Sequence, residues 1–95
     1  MKILALEKEE PSSDGKFGPH LKAEATRIWE LYQLEVIREV YFRSDNHTAV
    51  LVLECEDLYD AAECLLTLPL VEAGLITFDL IPLAPYTGFE RLFEK

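Results

Sequence analysis

The apolar residues of this chain come in short blocks, separated by polar residues with turn chemistry. Ile3-Leu4-Ala5-Leu6 is the first block. A short continuous apolar run suits a strand buried on both faces, here predicted over 1–7. Pro11-Ser12-Ser13-Asp14-Gly15 then reads as a loop. Gly18-Pro19 opens a helix, because the missing proline N–H costs least at the first helical position. Leu21, Ala25, Ile28 and Tyr32 recur at helical spacing, with Trp29 and Leu31 widening the stripe. Lys22, Glu24, Arg27 and Glu30 fall on the wet side.

Residues 36–43 are rich in Ile, Val, Tyr and Phe, and residues 48–55 are almost pure Val and Leu. Ser44-Asp45-Asn46-His47 lies between them, so the two runs predict a hairpin. Asp57 is placed to cap a second helix with Leu58, Ala61, Ala62, Leu65 and Leu66 on one side, ended by Pro69. Residues 75–81 give a fourth strand, stopped by Pro82 and Pro85. In the tail from Tyr86, the residues Phe89, Leu92 and Phe93 suit one apolar turn.

The predicted order is strand, helix, strand, strand, helix, strand. In a chain of 95 residues this makes one domain over 1–95. Its simplest form is α+β and ferredoxin-like (βαββαβ), a four-stranded antiparallel sheet with both helices on one face. The other face should then alternate to polar, yet Ala49-Val50-Leu51-Val52-Leu53 and the first strand do not. An apolar face of that size asks for a cover, and the simplest is a second copy packed sheet to sheet. A homodimer is expected. The competing reading folds the tail back over the same face.

Charge narrows the partners. Nine basic residues against eighteen acidic ones give a net charge of −9. That balance argues against nucleic acid and anionic membranes, which need a concentrated basic face. No apolar run approaches the ~20 residues that span a bilayer. The N-terminus runs from Ile3-Leu4-Ala5-Leu6 straight into Glu7-Lys8-Glu9-Glu10, without the pattern of a secretory signal, so a cytoplasmic location is expected. The acidic runs at Glu7-Glu9-Glu10 and Glu54-Glu56-Asp57 read as solvated strand ends. Cys55 and Cys64 read as two small buried hydrophobes. No metal-ligand spacing, phosphate-binding glycine loop or nucleophile elbow is present, so neither a metal nor another cofactor is expected.

Candidate chemistry gathers on two strands. Arg38 and Arg43 are the only basic residues between positions 28 and 90. Regular alternation puts Glu39, Tyr41 and Arg43 on one face and Arg38, Val40 and Phe42 on the other. Thr77 and Asp79 interrupt the fourth strand. If Glu39, Tyr41, Arg43, Thr77 and Asp79 point between two sheets, they line an apolar cavity with a few polar groups, the usual form of a small-molecule site. His47, at the hairpin turn, joins Arg38, Tyr41 and Arg43 as a substrate-binding candidate. The plainer readings are an edge-strand charge pair for Glu39 and Arg43, an ion pair with an Arg for Asp79, a packing role for Tyr41, and surface positions for His20 and His47.

The stretch Ile37-Arg38-Glu39-Val40-Tyr41-Phe42-Arg43, the strand Val50-Leu51-Val52-Leu53-Glu54, and Leu68-Pro69-Leu70 before the last strand are similar to the muconolactone isomerase family. The likeness covers about positions 20–86, and Arg38 matches the arginine of that family's second strand. It implies a small dimeric α+β barrel that moves a double bond in a carboxylated unsaturated lactone, by taking and returning a proton without a cofactor. It implies Arg38 or Arg43 as the carboxylate holder, since a guanidinium recognises a carboxylate in a bidentate way. Glu39 or Asp79 would be the proton shuttle. A non-catalytic dimeric module, of binding or stress-related type, and a cofactorless monooxygenase of the same barrel class are the alternatives.

Overall fold

The structure, a computed structural model, describes residues 1–10 and 15–94. Four strands, β1 (Lys2–Glu9), β2 (Ile37–Phe42), β3 (Ala49–Glu54) and β4 (Ile76–Leu83), form one antiparallel sheet in the order β2-β3-β1-β4. The helices are α1 (Leu21–Gln33), α2 (Leu58–Leu66) and the single turn α3 (Pro69–Glu72). The architecture is the expected ferredoxin-like α+β fold. The loop expected over 11–15 lies outside the described residues except for Gly15.

Period-two alternation decides which face each strand residue takes. Ile3 pairs with Leu53 and Ala5 with Leu51, and all four are fully buried under the helices. Leu31 of α1, Ala61 and Leu65 of α2, Ile37 and Leu68 complete this core. Leu4 and Leu6 pair with Val52 and Val50 on the opposite face, next to Ile81 of β4. That outer face carries an apolar stripe, as the sequence predicts, and Ile81 and Leu83 on it are exposed. Among the described residues the tail does not bury it, since Ile81 and Leu83 remain 40% and 41% exposed. Residues 88–93 form a 3-10 turn in which Phe89, Leu92 and Phe93 are 65%, 74% and 81% exposed. The molecule extends 60 Å along its longest axis against 28 and 20 Å across it. Its radius of gyration is 15.7 Å, where a compact chain of this length has about 12 Å. The tail stands off the body.

Local chemistry sets the element ends. The Asp57 carboxylate accepts the Asp60 N–H at 2.7 Å and caps α2 as predicted. α1 closes through Glu35, whose φ of 63° lets the Val36 N–H reach the Leu31 carbonyl at 3.0 Å. Two expectations about proline are corrected. α2 ends earlier, at Leu66, and Pro69 starts α3, where its fixed φ suits the first helical position. β4 runs through Pro82 to Leu83, because β4 is an edge strand and an edge tolerates a residue without an N–H.

The apolar stripe expected on α1 is also only partly core. Leu31 is buried and Ile28 half-buried, while Leu21 and Tyr32 are 54% and 45% exposed and Trp29 is 59% exposed. The charged residue assigned to the wet side, Glu24, is instead 8% exposed. Both departures have one cause, which is a cavity.

Candidate active site

Between α1 and the helix-bearing face of the sheet, at the end where β2 turns into β3, lies a cavity of about 780 Å³. Leu21, Ala25, Ile28, Trp29 and Tyr32 form its α1 wall, which is why these apolar residues stay open to solvent. Val40 and Phe42 of β2 and Ala49 of β3 form the facing wall, because the bulge at Arg38 brings both Val40 and Phe42 to the helix side. Leu70 and Phe17 also line it. Such walls suit a flat apolar molecule.

Three carboxylates border this space, from Glu7, Glu9 and Glu24. Glu24 belongs to the buried face of α1 by spacing, since Glu24, Ile28 and Leu31 are i, i+4 and i+7. Its Oε1 accepts the Leu70 N–H at 2.9 Å. Glu7 continues the alternation of Ile3 and Ala5 onto the helix side, and its Oε1 accepts the Ala49 N–H at 3.1 Å. Burial raises the proton affinity of both carboxyls above the usual glutamate range, more than these backbone hydrogen bonds lower it. The neighbouring charge of Glu7 raises Glu24 further. A carboxyl held this way is suited to taking and returning a proton.

The hairpin turn supplies the rim. The His47 N–H donates to the Arg43 carbonyl at 2.9 Å, which closes the turn with His47 at a φ of 59°. That backbone turns the imidazole onto Phe42, with ring centroids 4.2 Å apart and planes 19° from parallel. Asn46 lines the cavity beside it.

Of the six residues singled out from the sequence, His47 and Tyr41 border this cavity, Tyr41 from its place in β2 between Val40 and Phe42 although its hydroxyl turns to the outer face. Glu39 does not. It sits with Tyr41 on the outer face and accepts the Tyr41 hydroxyl at 2.8 Å, which raises the Tyr41 pKa. Asp79 is on the same outer face and pairs with Lys8 at 3.0 Å, not with an arginine. Arg43 pairs with Asp45 through two hydrogen bonds, of 3.0 and 2.7 Å, and not with Glu39. Arg38 falls at the bulge, and its Nε donates to the Glu35 carbonyl at 2.8 Å. The cavity therefore opens on the helix side of a single chain, whereas the expected one lay between two sheets. Glu7 and Glu24 were readable from spacing. Each continues an apolar series onto the buried face, against the habit of assigning every charge to water.

Cys55 is buried, as its packing reading expects, whereas Cys64 is only half-buried. Burial raises the Cys64 thiol and pushes the Cys55 thiol up to about 11, which disfavours the thiolate form of each. Among the described residues no cluster of His, Cys, Asp or Glu is arranged to hold a metal ion, and no helix is long and apolar enough to cross a membrane.

No protein-family model and no curated protein sequence matches the chain. Among solved structures it is similar to 5-chloro-2-hydroxyhydroquinone dehydrochlorinase (TftG) from Burkholderia phenoliruptrix AC1100, solved in complex with 2,5-dihydroxybenzoquinone. The two share 16% identity, with a TM-score of 0.70 over 93% of this chain and 98% of that one. The likeness is one of fold, and it places this chain with the ferredoxin-like α+β proteins.

Proposed function

We propose that this protein binds a small aromatic molecule in the cavity between α1 and the sheet, and that the Glu24 and Glu7 carboxyls move a proton on it. The observation that carries this reading is the convergence of two carboxyls of raised proton affinity on a cavity walled by aromatic and aliphatic side chains. Proton transfer between two such groups supports isomerisation of the muconolactone isomerase type without a cofactor. The complex of TftG with a small quinoid ring is in keeping with an aromatic ligand. A carboxylated ligand is the less favoured choice, because no lysine or arginine lines the cavity among the described residues.

The same proposal includes a homodimer. The apolar outer stripe of Leu4, Leu6, Val50, Val52 and Ile81 and the exposed tail aromatics are surfaces that a second copy would cover.

Ligand-observed NMR with hydroquinone as the probe tests the binding. Saturation transfer from protein to probe is expected, and Ala25→Trp, which fills the cavity from the α1 wall, is expected to abolish it. Transfer that persists unchanged in Ala25→Trp would place binding elsewhere and overturn the reading.

A further inference from the structure

We infer that the ligand of this cavity carries a protonated amine beside its aromatic ring, as an arylalkylamine does. The inference rests on the aromatic-ligand reading above and adds the charge. Glu7, Glu9 and Glu24 all border the cavity, and among the described residues no lysine or arginine does. An anionic ligand would bring a further negative charge among three carboxylates, with the His47 imidazole as the one basic side chain on the lining among the described residues and no guanidinium or ammonium. A cation reverses the sign of each of those interactions.

Geometry gives the ammonium a place. Glu24 is 8% exposed, and its Oε1 is occupied by the Leu70 N–H. Its second oxygen takes no protein hydrogen bond among the described residues, and no fully buried side-chain oxygen there lacks a partner. That oxygen is therefore not sealed inside the protein, and it belongs to a residue that lines the cavity, where it can act as an acceptor. An ammonium there would form a charge-assisted hydrogen bond and offset the burial that now disfavours the carboxylate form. Trp29 and Phe42 on the two walls offer ring faces to the same cation or to the ligand ring. The net charge of −9 draws cations toward the protein from a distance.

Three probes of one shape separate charge from shape. Tyramine, 4-ethylphenol and 3-(4-hydroxyphenyl)propionate share a phenol ring and differ in the charge of the side arm. Trp29 is the one tryptophan of the chain and lines the cavity, so its emission reports occupancy. Titrations at low ionic strength are expected to give a dissociation constant for tyramine at least tenfold below that for 4-ethylphenol, with the propionate weakest. The tyramine-to-ethylphenol ratio is expected to fall below threefold in Glu24→Gln. Glu7→Gln, checked for folding by circular dichroism, provides a second variant in which the ratio should also fall. Equal or tighter binding of 4-ethylphenol by the wild-type protein would overturn the amine and leave the aromatic cavity standing. A preference for tyramine that persists in both variants would also overturn it. No saturable change with any probe would overturn the aromatic-ligand reading and this inference with it.

Discussion

Glu24 accepts the backbone N–H of Leu70 through Oε1 at 2.9 Å, across 46 residues of sequence. This one bond ties the first turn of α1 to α3, the turn that leads into β4, in a buried setting, from a residue that also lines the cavity. It joins a structural duty to a chemical one. Glu24→Ala leaves the Leu70 N–H without its partner, and a buried donor left unsatisfied costs about 1–3 kcal/mol. Urea unfolding should show that loss, and Glu24→Gln, which retains a carbonyl acceptor, should show far less.

The pH dependence follows from the raised proton affinity of Glu24 and Glu7. A carboxyl with a higher pKa folded than unfolded binds more protons in the native state between those two values. Its stabilising contribution is complete below the unfolded value and is lost as pH rises through the folded one. Wild-type stability should therefore decline relative to Glu24→Gln as pH is raised from about 4.5 toward neutrality. Thermal unfolding of both proteins across that range checks the sign. A difference that is constant with pH would refute the buried-carboxyl account of Glu24.

Glu35 holds a φ of 63°, a conformation in which a side chain is strained and glycine is not. Its backbone closes α1, and its carbonyl accepts from Arg38, so the position needs the conformation and not the carboxylate. Glu35→Gly should stabilise the fold by about 0.5–1 kcal/mol. Gly74 is the mirror case, at a φ of 75° where the Leu75 N–H returns to Leu70. Gly74→Ala should destabilise by a similar amount. Paired denaturation curves read both.

The Cys55 thiol, pushed up to about 11, should resist thiol reagents in the native protein at pH 8 and react promptly once the chain is unfolded. Timed reaction with a chromogenic disulfide, with and without guanidinium, measures this. Fast native labelling at Cys55 would mean that its packing opens readily.

Native mass spectrometry is expected to show two chains or a larger even number. Removing residues 84–95 takes Phe89, Leu92 and Phe93 with it and should weaken that association at micromolar protein. A wild-type mass of one chain under those conditions would rule out the second copy as cover for the outer face.

Much of the architecture was legible along the chain. Continuous apolar runs in β1 and β3, turn chemistry between β2 and β3, and the Asp57 cap each act over a few residues, and local physics is what a sequence displays. The outer-face stripe was legible for the same reason, since period two assigns Leu4, Leu6, Val50 and Val52 to one side without knowledge of what covers them. Pro69 and Pro82 were misread because proline's effect depends on which backbone groups need a partner. That is set by the helix start at one site and by the sheet edge at the other.

The site was decided by tertiary structure. Helical and strand spacing allow Glu24 on a face with Ile28 and Leu31 and Glu7 in line with Ile3 and Ala5, but their charge assigned Glu24 to the wet side and Glu7 to a solvated strand end. Whether those faces meet a filled core or an open cavity depends on how far α1 stands from the β2–β3 end of the sheet. No local rule contains that separation. The bulge at Arg38 acts in the same way: one extra residue fixes which side chains of β2 look toward α1, and pairing with β3 creates it. The sequence by itself determined the elements, their order and the sides of the sheet, because those follow from interactions a few residues long. Only the tertiary structure decided that two carboxylates and an aromatic wall would share one space, because burial and proton affinity depend on neighbours distant in the chain.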